Sequence, residues 1–252
     1  RGLGDVYKRQ GEASRLMTDR REVTCRRWRA TFLVLASLAS LTWAFAGVLN
    51  PAMSQLHAFV SEYSARDQPW RYLFQTTDVI MGTLLCLAGL ATLVWARHRP
   101  LGRQGWSGVG FVAGGFFSVL DALVTMDCSP TRSQACMAAE EAGHVSVNHV
   151  VHVGTSTIVV VGFALPILLL NSTMTRFRGF GLVVTWAWVV FTLLNGIGAV
   201  GWFVGTPMDY TGIWQRFSLG LGTLWWLILA ADDIVTARVQ DRALLLSSLT
   251  RS

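Results

Sequence analysis

The sequence predicts an all-α polytopic membrane protein: a six-helix transmembrane bundle with both termini on the cytoplasmic side. Three observations lead there. Of 252 residues, 52% are apolar and only 14% are charged, whereas a soluble domain normally has about a quarter of its residues charged. Six apolar runs each approach the roughly 20 residues needed to cross about 30 Å of hydrocarbon. Arginines gather on alternate sides of those runs, as expected when translocating a cation is disfavoured.

The first ten residues, RGLGDVYKRQ, hold the chain's single Lys and read as translated adapter sequence rather than protein, so they are left out of fold reasoning. Met17 is taken as the start. Residues 11–30 then form a basic cytoplasmic segment, 31–235 the six-helix transmembrane domain and 236–252 a cytoplasmic tail. The spans fall at about 31–49, 72–96, 105–125, 146–170, 179–204 and 212–231. Inside lipid every backbone polar group must be satisfied within the segment. None of these runs shows the strict alternation of a barrel strand, so each is a helix.

Orientation follows from the loops. Arg15, Arg20, Arg21, Arg26, Arg27 and Arg29 precede the first span. Arg97, Arg99 and Arg103 lie between the second and third, Arg176 and Arg178 between the fourth and fifth, and Arg238, Arg242 and Arg251 in the tail. On the other side, Arg66 and Arg71 are balanced by Glu62 and Asp67, Arg132 is outnumbered by Asp127, Glu140 and Glu141, and Asp209 stands alone. With the arginine-for-lysine bias of high-GC bacterial genomes, this places the chain in a bacterial cytoplasmic (inner) membrane. The charge of +6 is therefore an orientation signal, with no nucleic-acid partner. The bilayer is the partner predicted, together with a lipid or small-molecule ligand, and oligomeric state is left open.

Trp28, Trp70, Trp95, Trp106, Trp202 and Trp214 sit near predicted span ends, where an amphipathic ring favours the headgroup layer; Trp225 and Trp226 lie deeper, as packing residues. Ala44-Phe45-Ala46 before Gly47 also resembles a signal-peptide cleavage site, and cleavage there would leave five spans in the same orientation. Gly110 with Gly114, and Gly201 with Gly205, fit the small-x-x-x-small pattern of close helix approach, here read as packing within one chain. Pro166 removes a backbone hydrogen bond inside the fourth span and predicts a kink.

Cys128 and Cys136 share the loop after the third span, on the side where disulfides persist, and are expected to pair. Cys25 and Cys86 are expected to be free.

An ionisable residue near the bilayer centre costs about 2.5 to 3.5 kcal/mol on insertion scales, so one that is kept there should face a partner or a watery cavity. Asp78, Asp121, His149, His152 and Arg216 lie a few residues inside the same ends of four spans, and residues three or four apart share a helix face. Gln75, Asp78 and Gly82 make one stripe; Gly114, Ser118, Asp121 and Thr125 a second; Asn148, His149, His152 and Ser156 a third. Asn195 lies deeper, as a floor. The predicted polar layer is Asp78, Ser118, Asp121, Asn148, His149, His152, Asn195 and Arg216.

Three readings of this layer compete. It is an internal network, with Arg216 paired to Asp78 or Asp121. Or it is a binding or transport cavity in which Asp and His handle protons. Or His149, His152 and Asp121 hold a metal, with zinc the ion such a set would take, whose bound water attacks a lipid ester or amide with Asp78 as base. No H-E-x-x-H supports the last, and no phosphate loop or nucleophile elbow occurs. Whether the chain is an enzyme is left open. His57, His98 and His144 receive no role.

The segment SVLDALVTMDCSPTRSQACMAAEEAGHVSVNHVVHVGTS, with GIWQRFSLGLGTLWW further on, resembles the bacterial family called domain of unknown function 998. The matching residues are Asp127, Cys128, Pro130 and Cys136, then His149 and His152, then Gly212, Gln215 and Arg216, within about residues 30–235. The resemblance implies a six-helix inner-membrane protein and brings no chemistry. A looser likeness is to the membrane hydrolases that include alkaline ceramidases and adiponectin-type receptors. Those have seven spans and an H-x-x-x-H on the last, which this chain lacks.

Overall fold

The computed structural model describes residues 2–97, 102–203 and 210–249. His98, Arg99, Gly205, Asp209 and Arg251 lie outside the described residues, as do the side chains of residues 2–16, 202–203 and 248. Eight helices are described: α1 Gly2–Ser40, α2 Ala46–Leu49, α3 Arg71–Ala96, α4 Arg103–Leu123, α5 Gln134–Glu141, α6 Val147–Leu170, α7 Arg178–Phe203 and α8 Thr211–Leu249. A tight turn, Leu41–Phe45, joins α1 to α2. Six helices are long and apolar enough to cross a membrane: Met17–Leu49, Arg71–Ala96, Arg103–Leu123, Val147–Thr173, Arg178–Gly201 and Thr211–Ser247. No strand occurs among the described residues.

The spans pack in the order α6, α4, α3, α1, α8, α7. Leu33, Leu85, Phe111, Ile167, Trp225 and Leu229 fill the core between them, each at most 1% exposed. The ring is not closed: among the described residues α6 and α7 do not pack along their lengths and meet through the turn Asn171–Thr173.

Glycine decides how closely three of these helices approach. A β-carbon on Gly82 would sit 2.5 Å from the Gly115 carbonyl oxygen, and one on Gly115 would sit 2.4 Å from that of Gly82, so α3 and α4 meet backbone to backbone. On the other side of α4, a β-carbon on Gly110 would sit 2.7 Å from both the Gly162 carbonyl oxygen and the Pro166 ring, and one on Gly114 would meet the Phe163 ring at 2.5 Å. Gly110 and Gly114 thus serve packing inside one chain, where small residues replace a hydrophobic driving force that lipid does not supply. The ring of Pro166 lies in that contact, within a helix that continues to Leu170.

At the end of the bundle that carries the termini, α1 and α8 continue past their apolar runs and pair. Arg29 donates from Nε and Nη2 to both oxygens of Asp233 at 2.7 Å, Arg26 adds a bond at 2.9 Å, and Arg27 pairs with Asp241. Trp95 lies beneath the two buried guanidinium groups, 4.5 Å from Arg26 and 5.2 Å from Arg29. It is therefore buried in a cation–π stack, unlike the exposed Trp28, Trp70 and Trp106. The neighbouring Asp232 accepts the backbone N–H groups of Thr175, Arg176 and Phe177, pinning the α6–α7 connection.

The opposite end is capped by residues 50–70 and 124–146. Cys128 and Cys136 lie at bonding distance there, S–S 1.92 Å with Cα atoms 6.0 Å apart. Cys25 and Cys86 are free. Ser133 and Ser146 cap α5 and α6 by accepting the N–H of Cys136 and His149.

Candidate functional site

Between the spans, towards the capped end, lies a cavity of about 430 Å³ with lining from all six of them. Its upper wall is polar and its floor is apolar, formed by Phe163, Ile167, Trp188 and Trp226. Asp78 reaches it from α3, about 10 Å below the start of that helix at 1.5 Å per residue. Asp121 reaches it from the last turn of α4. Ser118 and His152 line it, as does Asn195 from α7.

The two aspartates are held differently. Asp121 accepts Thr155 Oγ1 and, at 3.0 and 3.1 Å, Ser156 Oγ, with His152 Nδ1 3.3 Å away, so three side chains of α6 fix it. No hydrogen bond or ion pair joins Asp78 to another described residue, although it is partly shielded and faces the cavity. His152 is 3% exposed. Its Nδ1 lies 2.9 Å from the Val124 carbonyl and 3.1 Å from that of Asp121; since both accept, Nδ1 carries a proton, and Nε2 is buried with no partner among the described residues. Asn195 Oδ1 and Glu140 Oε2 are likewise buried without a partner.

The remaining members of the predicted layer go elsewhere. Arg216 pairs with neither Asp78 nor Asp121: it donates to the carbonyls of Ala58 at 2.8 Å and Gly212 at 2.9 Å and to the Tyr63 hydroxyl at 3.3 Å. The cause is local. Gly212 has no side chain, and a β-carbon there would lie 2.5 Å from the Ala58 oxygen, so the 55–58 backbone folds directly onto α8. Gln215 completes this clamp by accepting the Val60 N–H at 2.5 Å. His149 accepts the Asp127 N–H on Nδ1 at 3.2 Å, and Asn148 does not line the cavity. The trio weighed as metal ligands, Asp121, His149 and His152, is consequently split between the cavity wall and the cap. No group of three or more His, Cys, Asp or Glu side chains suited to a metal occurs among the described residues.

Two carboxylates that sequence reasoning treated as loop charge organise the cap. Glu62 is fully buried; one oxygen accepts the Phe59 N–H at 2.9 Å and the other accepts Ser129 Oγ and Thr131 Oγ1 at 2.5 Å and the Thr131 N–H at 3.1 Å. Burial pushes its carboxyl above the ordinary range, against these hydrogen bonds. Asp127 accepts the Ser146 N–H at 2.6 Å and Ser146 Oγ at 2.8 Å, with Arg66 at 3.2 Å. Partial burial pushes the Asp127 carboxyl up, and the Ser146 bonds, Arg66 and His149 outweigh that and hold it below the usual range.

The fold and site define a class: a polytopic α-helical membrane protein with a polar-walled cavity between its spans. The family model described as "Protein of unknown function (DUF998)" matches residues 33–232, and the chain belongs to that family. No curated protein and no solved structure matches it.

Proposed function

We propose that this protein binds a small amphiphile within the membrane, with the capped end facing away from the cytoplasm and the termini inside a bacterial cell. The observation that carries the reading is the cavity of about 430 Å³, whose upper wall holds Asp78 without a partner above an aromatic floor. Pockets for organic ligands have this make-up: mostly apolar walls with a few placed polar groups, at about 300 to 1,000 Å³. A purely internal network is less well supported, since Arg216, the partner expected for Asp78 or Asp121, is committed to the cap and leaves Asp78 without a partner among the described residues. The orientation is supported by the arginines described at the termini end, among them Arg20, Arg27, Arg97, Arg103 and Arg178.

A dodecanol bearing a photoreactive diazirine at its chain end tests the reading. On irradiation with the purified protein, label is expected on inward residues such as Phe163 and Trp188 and is lost in the cavity-filling variant Ser118→Phe. Label confined to the lipid-facing Leu193 and Ile197 would overturn it.

A further inference from the structure

Three features of the cavity bear on what it holds and how the ligand arrives. The first is charge. Glu62, Asp78, Asp121 and Glu140 all contribute to the wall, and neither Arg nor Lys is among its described lining residues. The second is the state of the wall's polar groups. Carboxylates donate no hydrogen bond when ionised, and the wall adds the unpartnered Asn195 Oδ1, while its unpartnered donors are the neutral indole N–H groups of Trp43 and Trp226. A phosphate or carboxylate head would meet four carboxyl groups and neither Arg nor Lys among the described lining residues, while an ammonium carries three donors and a positive charge.

The third feature is the open seam. Thr157, Val160 and Val161 on α6 and Gly196 on α7 both line the cavity and are exposed on the outside of the bundle. A β-carbon on Gly196 would meet nothing within 4 Å. The apolar character of Val160 and Val161 makes this edge passable to an alkyl chain and poorly passable to water.

Building on the binding reading above, we infer that the ligand is a long-chain primary amine or amino alcohol that slides in from the lipid between α6 and α7. Its ammonium group settles at Asp78, with His152 and Asn195 within the same polar wall, and its tail lies over Phe163, Ile167, Trp188 and Trp226 or trails through the seam. Asp121, already satisfied by Thr155, Ser156 and His152, contributes field and not a free acceptor.

The test is competition against photolabelling by the diazirine dodecanol, using dodecylamine, dodecanol and dodecanoate as unlabelled competitors of equal chain length. The amine should compete at about one-tenth the concentration of the alcohol, and the acid should be weakest, a tenfold ratio corresponding to about 1.4 kcal/mol. Asp78→Asn should bring amine and alcohol together while inward labelling persists. Equal competition by all three in the wild type would overturn the amine assignment and leave the cavity reading standing; absence of inward labelling would overturn the cavity reading itself. Gly196→Trp, whose added β-carbon would meet nothing within 4 Å, should slow inward labelling about tenfold or more in protein whose melting temperature is unchanged. Unchanged labelling in that variant would overturn the lateral route.

Discussion

Arg29 and Asp233 meet as a two-bond fork, Nε to Oδ2 and Nη2 to Oδ1 at 2.7 Å each, with both side chains at most 1% exposed. Removing one partner strands the other's charge in a buried site, which typically costs about 3 to 5 kcal/mol. Asp233→Ala should therefore lower the melting temperature in detergent far more than Asp241→Ala, whose Arg27 partner is more than half exposed. Arg29→Met combined with Asp233→Leu should recover most of the loss. Equal effects of the two alanine variants would show that the fork does not hold α1 to α8.

Arg216 holds the 50–70 segment against α8, with Gly212 giving it room. Arg216→Ala should free this segment and raise amide hydrogen exchange at residues 55–63 while α8 stays protected. Gly212→Ala should do the same through the 2.5 Å clash with the Ala58 oxygen. Loss of protection spread over the whole bundle would mean that Arg216 holds the fold and not the cap.

Glu62→Ala leaves the hydroxyls of Ser129 and Thr131 and two backbone N–H groups without their acceptor. With about 1 to 3 kcal/mol for each buried group left unsatisfied, the two loops should separate. Accelerated proteolysis within 124–146 at a temperature where the wild type resists is the expected readout.

Asp127 supplies the pH dependence. Its carboxyl is held below its ordinary value of 3.8 in the folded protein. It therefore stabilises the fold fully above that value, and the contribution is lost as pH falls through the lower, folded one. Between pH 5 and pH 3 the melting temperature of the wild type should drop further than that of Asp127→Asn. Parallel curves would remove Asp127 from the account.

Gly82→Val should separate α3 from α4, since its first added atom already meets the Gly115 oxygen at 2.5 Å and the Val119 nitrogen at 3.0 Å. Overpacking of this kind costs about 1 to 3 kcal/mol, read as a fall in melting temperature in detergent.

Six spans were readable from length and hydropathy because lipid allows few alternatives. Residues one turn apart share a surface whatever the neighbours are, and Asp78, Ser118, Asp121 and His152, placed on such faces, all line the cavity; Asn195, expected as its floor, lines it too, while Phe163, Ile167, Trp188 and Trp226 form the floor. Arg216 and His149 do not line it. Each found a partner in a segment whose path no periodicity describes: the 55–58 backbone and the Asp127 amide. Glu62 was read as a loop charge because a surface position is the default for glutamate. The Asp232–Asp233 pair, two acids at the end of an apolar run facing Arg26 and Arg29, was the available signal for the termini-end lock.

The arrangement of α6 and α7 sets how the bundle yields. Asn171 binds Thr185 Oγ1 at 2.7 Å and receives the Trp225 indole N–H at 3.2 Å, and Thr185 lies 3.5 Å from the Ile167 carbonyl. Beyond that staple no hydrogen bond joins the two helices among the described residues. They are hinged like a clothes-peg, and no hydrogen bond runs directly from one far tip to the other. Each tip is instead tied to its other neighbour, α6 to Asp121 of α4 and α7 to α8 through Thr192 and Ser218 at 2.6 Å, so opening the seam would draw on those two anchors.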